Sequence, residues 1–208
     1  MSRAASRAGA EAVPDPPPNA RVGEIYLSAA ALDARVRELG GELAADYDGR
    51  EPLLVASLKA SLVFLADLSR ACPILHGIDF VELAGYGAGV GTGGHSRIRL
   101  LKDLDGQIAG RDVVIVEDVV DTGLTLNYLC QTLGLRSPRT LAAATLLDRP
   151  YRRLVDDLPV RYVGFTVPDE LFVGYGFDLG ERFRNLPDLH VIHPENSARP
   201  PSVLNLET

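Results

Sequence analysis

Apolar and polar residues follow one another along the chain in a pattern that predicts strands interleaved with helices. Strands are predicted at 52–57, 78–83, 98–101, 112–117, 140–147 and 162–167. Helices are predicted at 61–69 and 124–133, and an earlier helix starts after the N-cap Ser28, although Gly40-Gly41 is expected to interrupt it. Strands that alternate with helices indicate an α/β fold with a parallel sheet covered on both faces.

The bulk composition excludes several classes of protein. The chain has 208 residues, of which 46% are hydrophobic and 24% charged, as in a single ordinary globular domain. Its formal net charge of -7 disfavours nucleic acid as a partner, and no apolar run approaches the ~20 residues of a membrane span. Cys72 and Cys130 lack the spacing of metal ligands, so we expect two reduced thiols in a cytoplasmic protein.

The two ends of the chain differ in composition from its middle. Residues 1–21 are rich in Ala, Arg, Ser and Pro, which predicts a disordered N-terminal tail. Residues 195–208 have no hydrophobic periodicity and are predicted to be a C-terminal tail. No linker interrupts 22–194, which we take as one domain.

A glycine-rich segment at 85–94 matches the dinucleotide fingerprint G-x-G-x-x-G literally, through Gly89, Gly91 and Gly94. That fingerprint requires a helix directly after it, so that helix amides meet the pyrophosphate. Residues 95–100 instead alternate polar and apolar, as a strand does, which argues against a dinucleotide site. We interpret the segment, with Gly85 and Tyr86, as a flexible lid loop; a surface hairpin is the alternative.

The most informative segment joins the predicted strand at 112–117 to the helix at 124–133. The strand ends in the adjacent carboxylates Glu117 and Asp118, and Asp121 follows three residues later. Then Thr122, Gly123, Leu124 and Thr125 open the helix. Helix N-terminal amides favour phosphate, and carboxylates beside them can accept sugar hydroxyls or hold Mg²⁺ through water. An acidic helix cap is the alternative, but one Asp would suffice for it.

This segment resembles the phosphoribosyl pyrophosphate signature of the type I phosphoribosyltransferases. Further segments resemble, in order, the hypoxanthine-guanine branch of that family: 102–105, 146–150, 168–170 and 173–178. The resemblance covers about 22–194 and implies a central, mainly parallel sheet flanked by helices, with a small hood and a lid. It implies a purine salvage enzyme that converts hypoxanthine or guanine and phosphoribosyl pyrophosphate to IMP or GMP and pyrophosphate. Mg²⁺ and a homodimer or homotetramer are implied too.

The resemblance also implies a role for each motif residue. Asp121 would be the catalytic base, and the stretch 122–125 would bind the 5′-phosphate. Glu117 and Asp118 would face the ribose hydroxyls and, with Asp178, hold Mg²⁺. Leu58, Lys59 and Ala60 would bind pyrophosphate together with Arg184. In the family, a non-proline cis peptide is usual in the 58–60 loop, and glycine is common at the position of Ala60.

The implied base pocket departs from the family at three positions. Arg149 stands where a lysine usually donates to the purine O6, Leu171 where an aromatic ring usually stacks on the base, and Phe172 where a smaller aliphatic residue is usual. Two alternatives therefore stay open. One is an enzyme for xanthine or another purine. The other is a non-catalytic nucleotide- or RNA-binding regulator, although the longest basic run is only Arg152-Arg153.

Overall fold

The computed structural model describes residues 21–84 and 98–193, and these form nine strands and three α-helices. In chain order they are β1 (Arg21–Leu27), α1 (Ala29–Asp46), β2 (Leu53–Leu58), α2 (Leu62–Ala71), β3 (Gly77–Ala84), β4 (Arg99–Lys102), β5 (Asp112–Val120), α3 (Leu124–Gly134), β6 (Thr140–Asp148), β7 (Val160–Thr166), β8 (Phe172–Val173) and β9 (Leu189–His193). A short 3₁₀ helix, Pro150–Arg152, follows β6.

Six strands form the central sheet in the order β4-β3-β2-β5-β6-β7. All neighbours run parallel except β3 and β4, so the predicted mainly parallel sheet is confirmed. β5 lies in the middle, and its side chains alternate between two cores: Val114 and Val116 pack on the side of α1 and α2, while Val113 and Ile115 pack on the side of α3. Burial of both faces explains why this strand is a continuous apolar run.

The predicted elements lie where the sequence placed them, with small shifts at their ends. The largest shift is in β5, which continues three residues beyond Glu117. The ladder to β6 explains it, because Val119 pairs with Leu147 and Val120 with Asp148. The strand after the glycine-rich segment is also confirmed, since β4 pairs with β3 and no helix begins there.

α1 contradicts one prediction, because the helix continues through Gly40-Gly41 without a break. Ser28 caps it as predicted, since its hydroxyl accepts a hydrogen bond from the Ala31 amide at 3.2 Å. Gly40 is buried where α1 meets α2, and a Cβ there would lie 2.5 Å from the Ala71 carbonyl oxygen. The glycine therefore lets the two helices approach closely, and it does not end the first one.

A second, antiparallel sheet of three strands, β1-β9-β8, was missed by the sequence pattern except as an implied hood. Its strands come from opposite ends of the domain, and β8 has only two residues, too few for a periodic signal. β1 begins at Arg21, the last residue of the predicted N-terminal tail. The rest of both tails and the predicted lid, with Gly85 and Tyr86, lie outside the described residues. In the described parts of the chain, no helix has the length and apolarity to cross a membrane.

Candidate active site

The crevice between the carboxyl ends of β2 and β5 is the place where this sheet can bind a ligand. β2 connects through α2 to β3 on one side of it, whereas β5 connects through α3 to β6 on the other. Neighbouring strands whose connections leave in opposite directions create a crevice outside the sheet, where ligands of open α/β folds bind. The predicted pyrophosphate loop at 58–60 follows β2, and the acidic segment at 117–125 closes β5, so both reach this crevice.

The turn from β5 into α3 forms the phosphate cradle. Gly123, the residue before the helix, has a φ of 82°, a conformation that favours glycine. Thr122 Oγ1 accepts from the Leu124 amide at 3.4 Å, and Thr125 follows in the first helical turn. The start of a helix is a favourable place for an anion, because the helix dipole and the amides of its first turn point toward it.

Two successive carboxylates lie near the end of β5, of which Glu117 is buried and Asp118 is half-buried. Glu117 is 4% exposed, and its Oε1 has no hydrogen-bond partner. Burial, and then repulsion from Asp118, raise the pKa of Glu117 well above its usual range. Burial also raises the pKa of Asp118 to about 6, opposed by the nearby Arg184. Buried carboxyl groups with perturbed pKa values and an unused oxygen are typical of a site that receives its partners from a ligand.

The predicted pyrophosphate ligands are held together by Glu181, which the sequence analysis did not single out. Lys59 Nζ lies 2.8 Å from one Glu181 carboxylate oxygen, and Arg184 Nη2 lies 3.1 Å from the other. Arg184 Nη2 is also 2.7 Å from Asp178 Oδ1. The cis peptide implied at Leu58-Lys59 is present. Ala60 is not among the residues with positive φ, so its backbone does not require the family's glycine.

Asp121, the predicted base, lies between two arginines. Its Oδ1 is 3.1 Å from Arg152 Nε, although the two groups are not aligned as a hydrogen bond, and its Oδ2 is 3.8 Å from Arg149 Nη1. Arg152 reaches on to Asp169 through Nη1 at 2.8 Å. The sequence analysis missed Arg152 as a site residue, since it considered it only as half of a short basic run. Arg152 therefore links the carboxylate after β5 to the loop before β8.

The three predicted base-binding residues lie next to one another but differ in exposure. Arg149 is 9% exposed, and its Nη2 donates to the Glu170 carbonyl oxygen. Phe172 is equally buried, with its ring facing the Arg149 guanidinium at 5.7 Å. Leu171 is 58% exposed and so is free to cover a ligand with apolar surface. The side chains at 171 and 172 thus point to different environments, as expected for successive residues entering a strand.

No group of three or more metal-binding side chains occurs in the parts of the chain that the structure describes. Mg²⁺ rarely needs such a group, because it keeps several waters and takes one or two carboxylates plus substrate phosphates. Glu117, Asp118 and Asp178 fit that pattern, since Asp178 is close enough to Asp118 to raise its pKa. The unused Glu117 Oε1 is the atom that most needs a cation or a hydroxyl donor.

Comparison with known proteins agrees with this site. Residues 23–178 match the family model described as a phosphoribosyl transferase domain. A hypoxanthine phosphoribosyltransferase of Salmonella typhimurium is 46% identical over 79% of this chain and 92% of its own length, and that of Escherichia coli K12 is 43% identical over the same shares. A crystal structure of a Bacillus anthracis hypoxanthine-guanine phosphoribosyltransferase superposes with a TM-score of 0.78, at 39% identity, covering 85% of this chain and all of that one.

The chain therefore belongs to the phosphoribosyltransferase family. Its relatives place it in the hypoxanthine-guanine branch, so the resemblance read from the sequence and the type I fold it implied are confirmed. The non-catalytic regulator was the wrong alternative, since the relatives are enzymes of purine salvage by name.

Proposed function

We propose that the protein transfers the phosphoribosyl group of phosphoribosyl pyrophosphate to hypoxanthine or guanine and so forms IMP or GMP and pyrophosphate. Three neighbouring features support this more than any other observation. They are the phosphate cradle at 122–125, the buried Glu117 with its neighbour Asp118, and Asp121 beside the buried Arg149. An anionic sugar with free hydroxyls and a planar polar base is the ligand pair that such groups recognise.

The sugar phosphate is bound by the two loops of the crevice. In this proposal the amides and hydroxyls of 122–125 hold the 5′-phosphate, and Glu117 and Asp118 accept hydrogen bonds from the ribose hydroxyls. Lys59 and Arg184 turn from Glu181 and Asp178 to the pyrophosphate. Arg184 Nε, which is buried without a partner, supports this assignment because one more acceptor would satisfy it.

The reaction exchanges one bond at the ribose C1 for another. The bond from C1 to the pyrophosphate oxygen breaks as a purine nitrogen bonds to C1, and the proton leaves N7 for Asp121. Arg152 and Arg149 flank Asp121 and fix the position of its carboxylate. A positioned base of this kind contributes about 10²–10⁴ in rate. Because C1 becomes positive in the transition state, water must be excluded from the crevice.

Mg²⁺ belongs to this proposal as a cofactor held by Glu117, Asp118 and Asp178 together with substrate oxygens. When bound, it neutralises the negative charge that builds up on pyrophosphate. The carboxylates orient the ribose and accept the cation, and the raised pKa of Asp118, about 6, still leaves it ionised at neutral pH.

The preference among 6-oxopurines depends on Arg149. A guanidinium donates in a rigid fork where a lysine donates as a point charge, and it can therefore serve two acceptors at once. Hypoxanthine and guanine both present O6 as the acceptor for this fork, while their N7–H faces Asp121. Xanthine, with one more oxygen, is the second candidate base that this arginine favours.

The test is a steady-state assay with phosphoribosyl pyrophosphate, Mg²⁺ and, separately, hypoxanthine, guanine, xanthine and adenine. We expect turnover with hypoxanthine or guanine and none with adenine, which lacks O6. Turnover with xanthine alone would replace the base assignment but keep the reaction. Turnover with no base would contradict the proposed function.

We further propose a homodimer or homotetramer in the cytoplasm, without nucleic acid or membrane as partners. Two free cysteines and a net charge of -7 support the compartment and the exclusion of nucleic acid. Light scattering of the purified protein at several concentrations measures the assembly directly, and a constant mass near 22.4 kDa would contradict it.

A further inference from the structure

A stack of three side chains joins the small sheet to the base pocket. The rings of Tyr26 in β1 and Phe172 in β8 lie with their centroids 4.8 Å apart, tilted by 42°. The Arg149 guanidinium carbon lies 5.7 Å from the Phe172 ring centre. Phe172 is thus in contact with an aromatic ring and with the one buried cation of the proposed base pocket.

Arg149 needs such support, because its charge is buried with few hydrogen bonds. Its Nη2 donates to the Glu170 carbonyl, its Nη1 is 3.8 Å from Asp121, and its Nε is buried with no partner. A guanidinium above an aromatic face is stabilised by the ring's charge distribution, most strongly where water is excluded. The ring also restricts the rotation of a long side chain that would otherwise lose much entropy on binding.

We propose that Phe172 is a positioning residue that sets the affinity for the base by holding Arg149, with the Tyr26 ring packed against it. The inference rests on the proposed function. Phe172 touches the guanidinium and, being 6% exposed, presents almost no surface of its own. It therefore acts through the orientation of the Arg149 donors.

A double-mutant cycle separates this role from direct stacking of Phe172 on the base. Phe172→Leu keeps an apolar side chain but removes the ring face, and Arg149→Lys replaces the fork with a point charge that gains less from the ring. We expect Phe172→Leu to raise the KM for the preferred base on the order of tenfold, from the loss of a desolvated cation–π contact. The KM for phosphoribosyl pyrophosphate should change less than about twofold, since the Phe172 ring faces Arg149 and not the residues proposed to bind phosphate and pyrophosphate.

In the Arg149→Lys background, Phe172→Leu should raise the KM for the base less than about threefold further, because the interaction is already largely lost. Phe172→Tyr, which keeps a ring face, should fall between the wild type and Phe172→Leu. Phe80→Leu is the matched control, since Phe80 is a half-buried ring in β3 far from Arg149 in the sheet order, and it should leave both KM values unchanged. Thermal melting of each variant identifies any that fails to fold.

Two results would overturn the inference: the same KM increase from Phe172→Leu in both backgrounds, or an equal increase in KM for both substrates. A failure of the proposed function is distinguishable, because the wild type would then turn over no base. The affinity for IMP of the wild type, the two single variants Phe172→Leu and Arg149→Lys, and the double variant is also measured by calorimetry, which needs no turnover. A coupling of about tenfold there supports the role of Phe172, whereas additive effects, or no binding of IMP, overturn it.

Discussion

At the scale of single residues, the site is defined by carboxylates in contrasting surroundings. Asp121 is one third exposed and faces two arginines, while Glu117 is buried with one oxygen unpaired, and burial raises the pKa of the neighbouring Asp118. The two arginines fix the position of the Asp121 carboxylate, which suits it to meet the proton of a bound base. Groups that are buried and uncompensated are suited to receive hydroxyls or a metal ion. The carboxylate group therefore has two proposed roles in this site, because the neighbours of Asp121 differ from those of Glu117 and Asp118.

Asp121→Asn is expected to lower kcat by at least about 10² without unfolding the protein, because the amide cannot accept the base proton. Asp169→Asn is the matched control, since it removes the other carboxylate that contacts Arg152 but leaves the base in place. Single-turnover rates and circular dichroism measure the two effects. Equal rates for Asp121→Asn and the wild type would refute the assignment of Asp121 as the base.

Asp118→Asn is expected to stabilise the protein in the absence of ligand. The folded chain holds the pKa of Asp118 at about 6, above the 3.8 of the free side chain, so the folded state binds more protons between these values. Stability is therefore lost as pH rises from about 4 to 6, and the loss is fully present at pH 7.5. We expect the variant to gain on the order of 1–3 kcal/mol in free energy of unfolding at pH 7.5 and much less at pH 4.

Urea denaturation at the two pH values measures this gain. Asp157→Asn, an exposed acid, serves as the control for the loss of one negative charge and should change stability by less than about 0.5 kcal/mol. An Asp118→Asn variant that is less stable than the wild type at pH 7.5 would contradict the argument that desolvation of the ionised Asp118 carboxylate destabilises the folded protein.

At the scale of elements, close contact between α1 and α2 depends on one glycine of a pair. Gly40→Ala should destabilise the protein by roughly 1–3 kcal/mol, since its Cβ would lie 2.5 Å from the Ala71 carbonyl oxygen and force the helices apart. Gly41→Ala is a control on the next residue of the same helix, where a Cβ meets nothing within 4 Å. At this position alanine should raise the free energy of unfolding by about 0.5–1 kcal/mol, because its helix propensity is higher than that of glycine. Thermal unfolding of both variants measures the two changes in stability, which should have opposite signs. If Gly40→Ala and Gly41→Ala change stability in the same direction, the contact argument is refuted.

The same pair illustrates where sequence reasoning succeeds and where it stops. The order of strand, turn and helix start from Asp112 to Thr125 could be predicted because these elements are contiguous, although the strand runs three residues past its predicted end. Gly40-Gly41 was misjudged, since a local rule cannot know that Ala71 lies against the helix. Glu181 and Arg152 were missed for a related reason: Lys59 and Glu181 are 122 residues apart, and only the folded topology brings them together.

At the scale of the whole molecule, an acidic protein has to bind a substrate that is itself a polyanion. The formal net charge is -7, and the two cations predicted for pyrophosphate, Lys59 and Arg184, are already paired with Glu181 and Asp178. The neighbouring Glu117 and Asp118 add further negative charge to the crevice. The protein by itself therefore offers phosphoribosyl pyrophosphate little net attraction, and the missing positive charge has to come from solution.

Removal of Mg²⁺ is accordingly expected to abolish activity and to weaken substrate binding. Phosphoribosyl pyrophosphate with Mg²⁺ should raise the melting temperature by several degrees, whereas the same concentration with a chelator should raise it little. Asp178→Asn removes one of the two carboxylates that contact Arg184 and takes away one proposed metal ligand. It should therefore increase the Mg²⁺ concentration needed for half-maximal rate while improving metal-free binding of the polyanion. Equal thermal shifts with and without Mg²⁺ would show that the side-chain cations suffice, and the carboxylates at 117, 118 and 178 would then need another role.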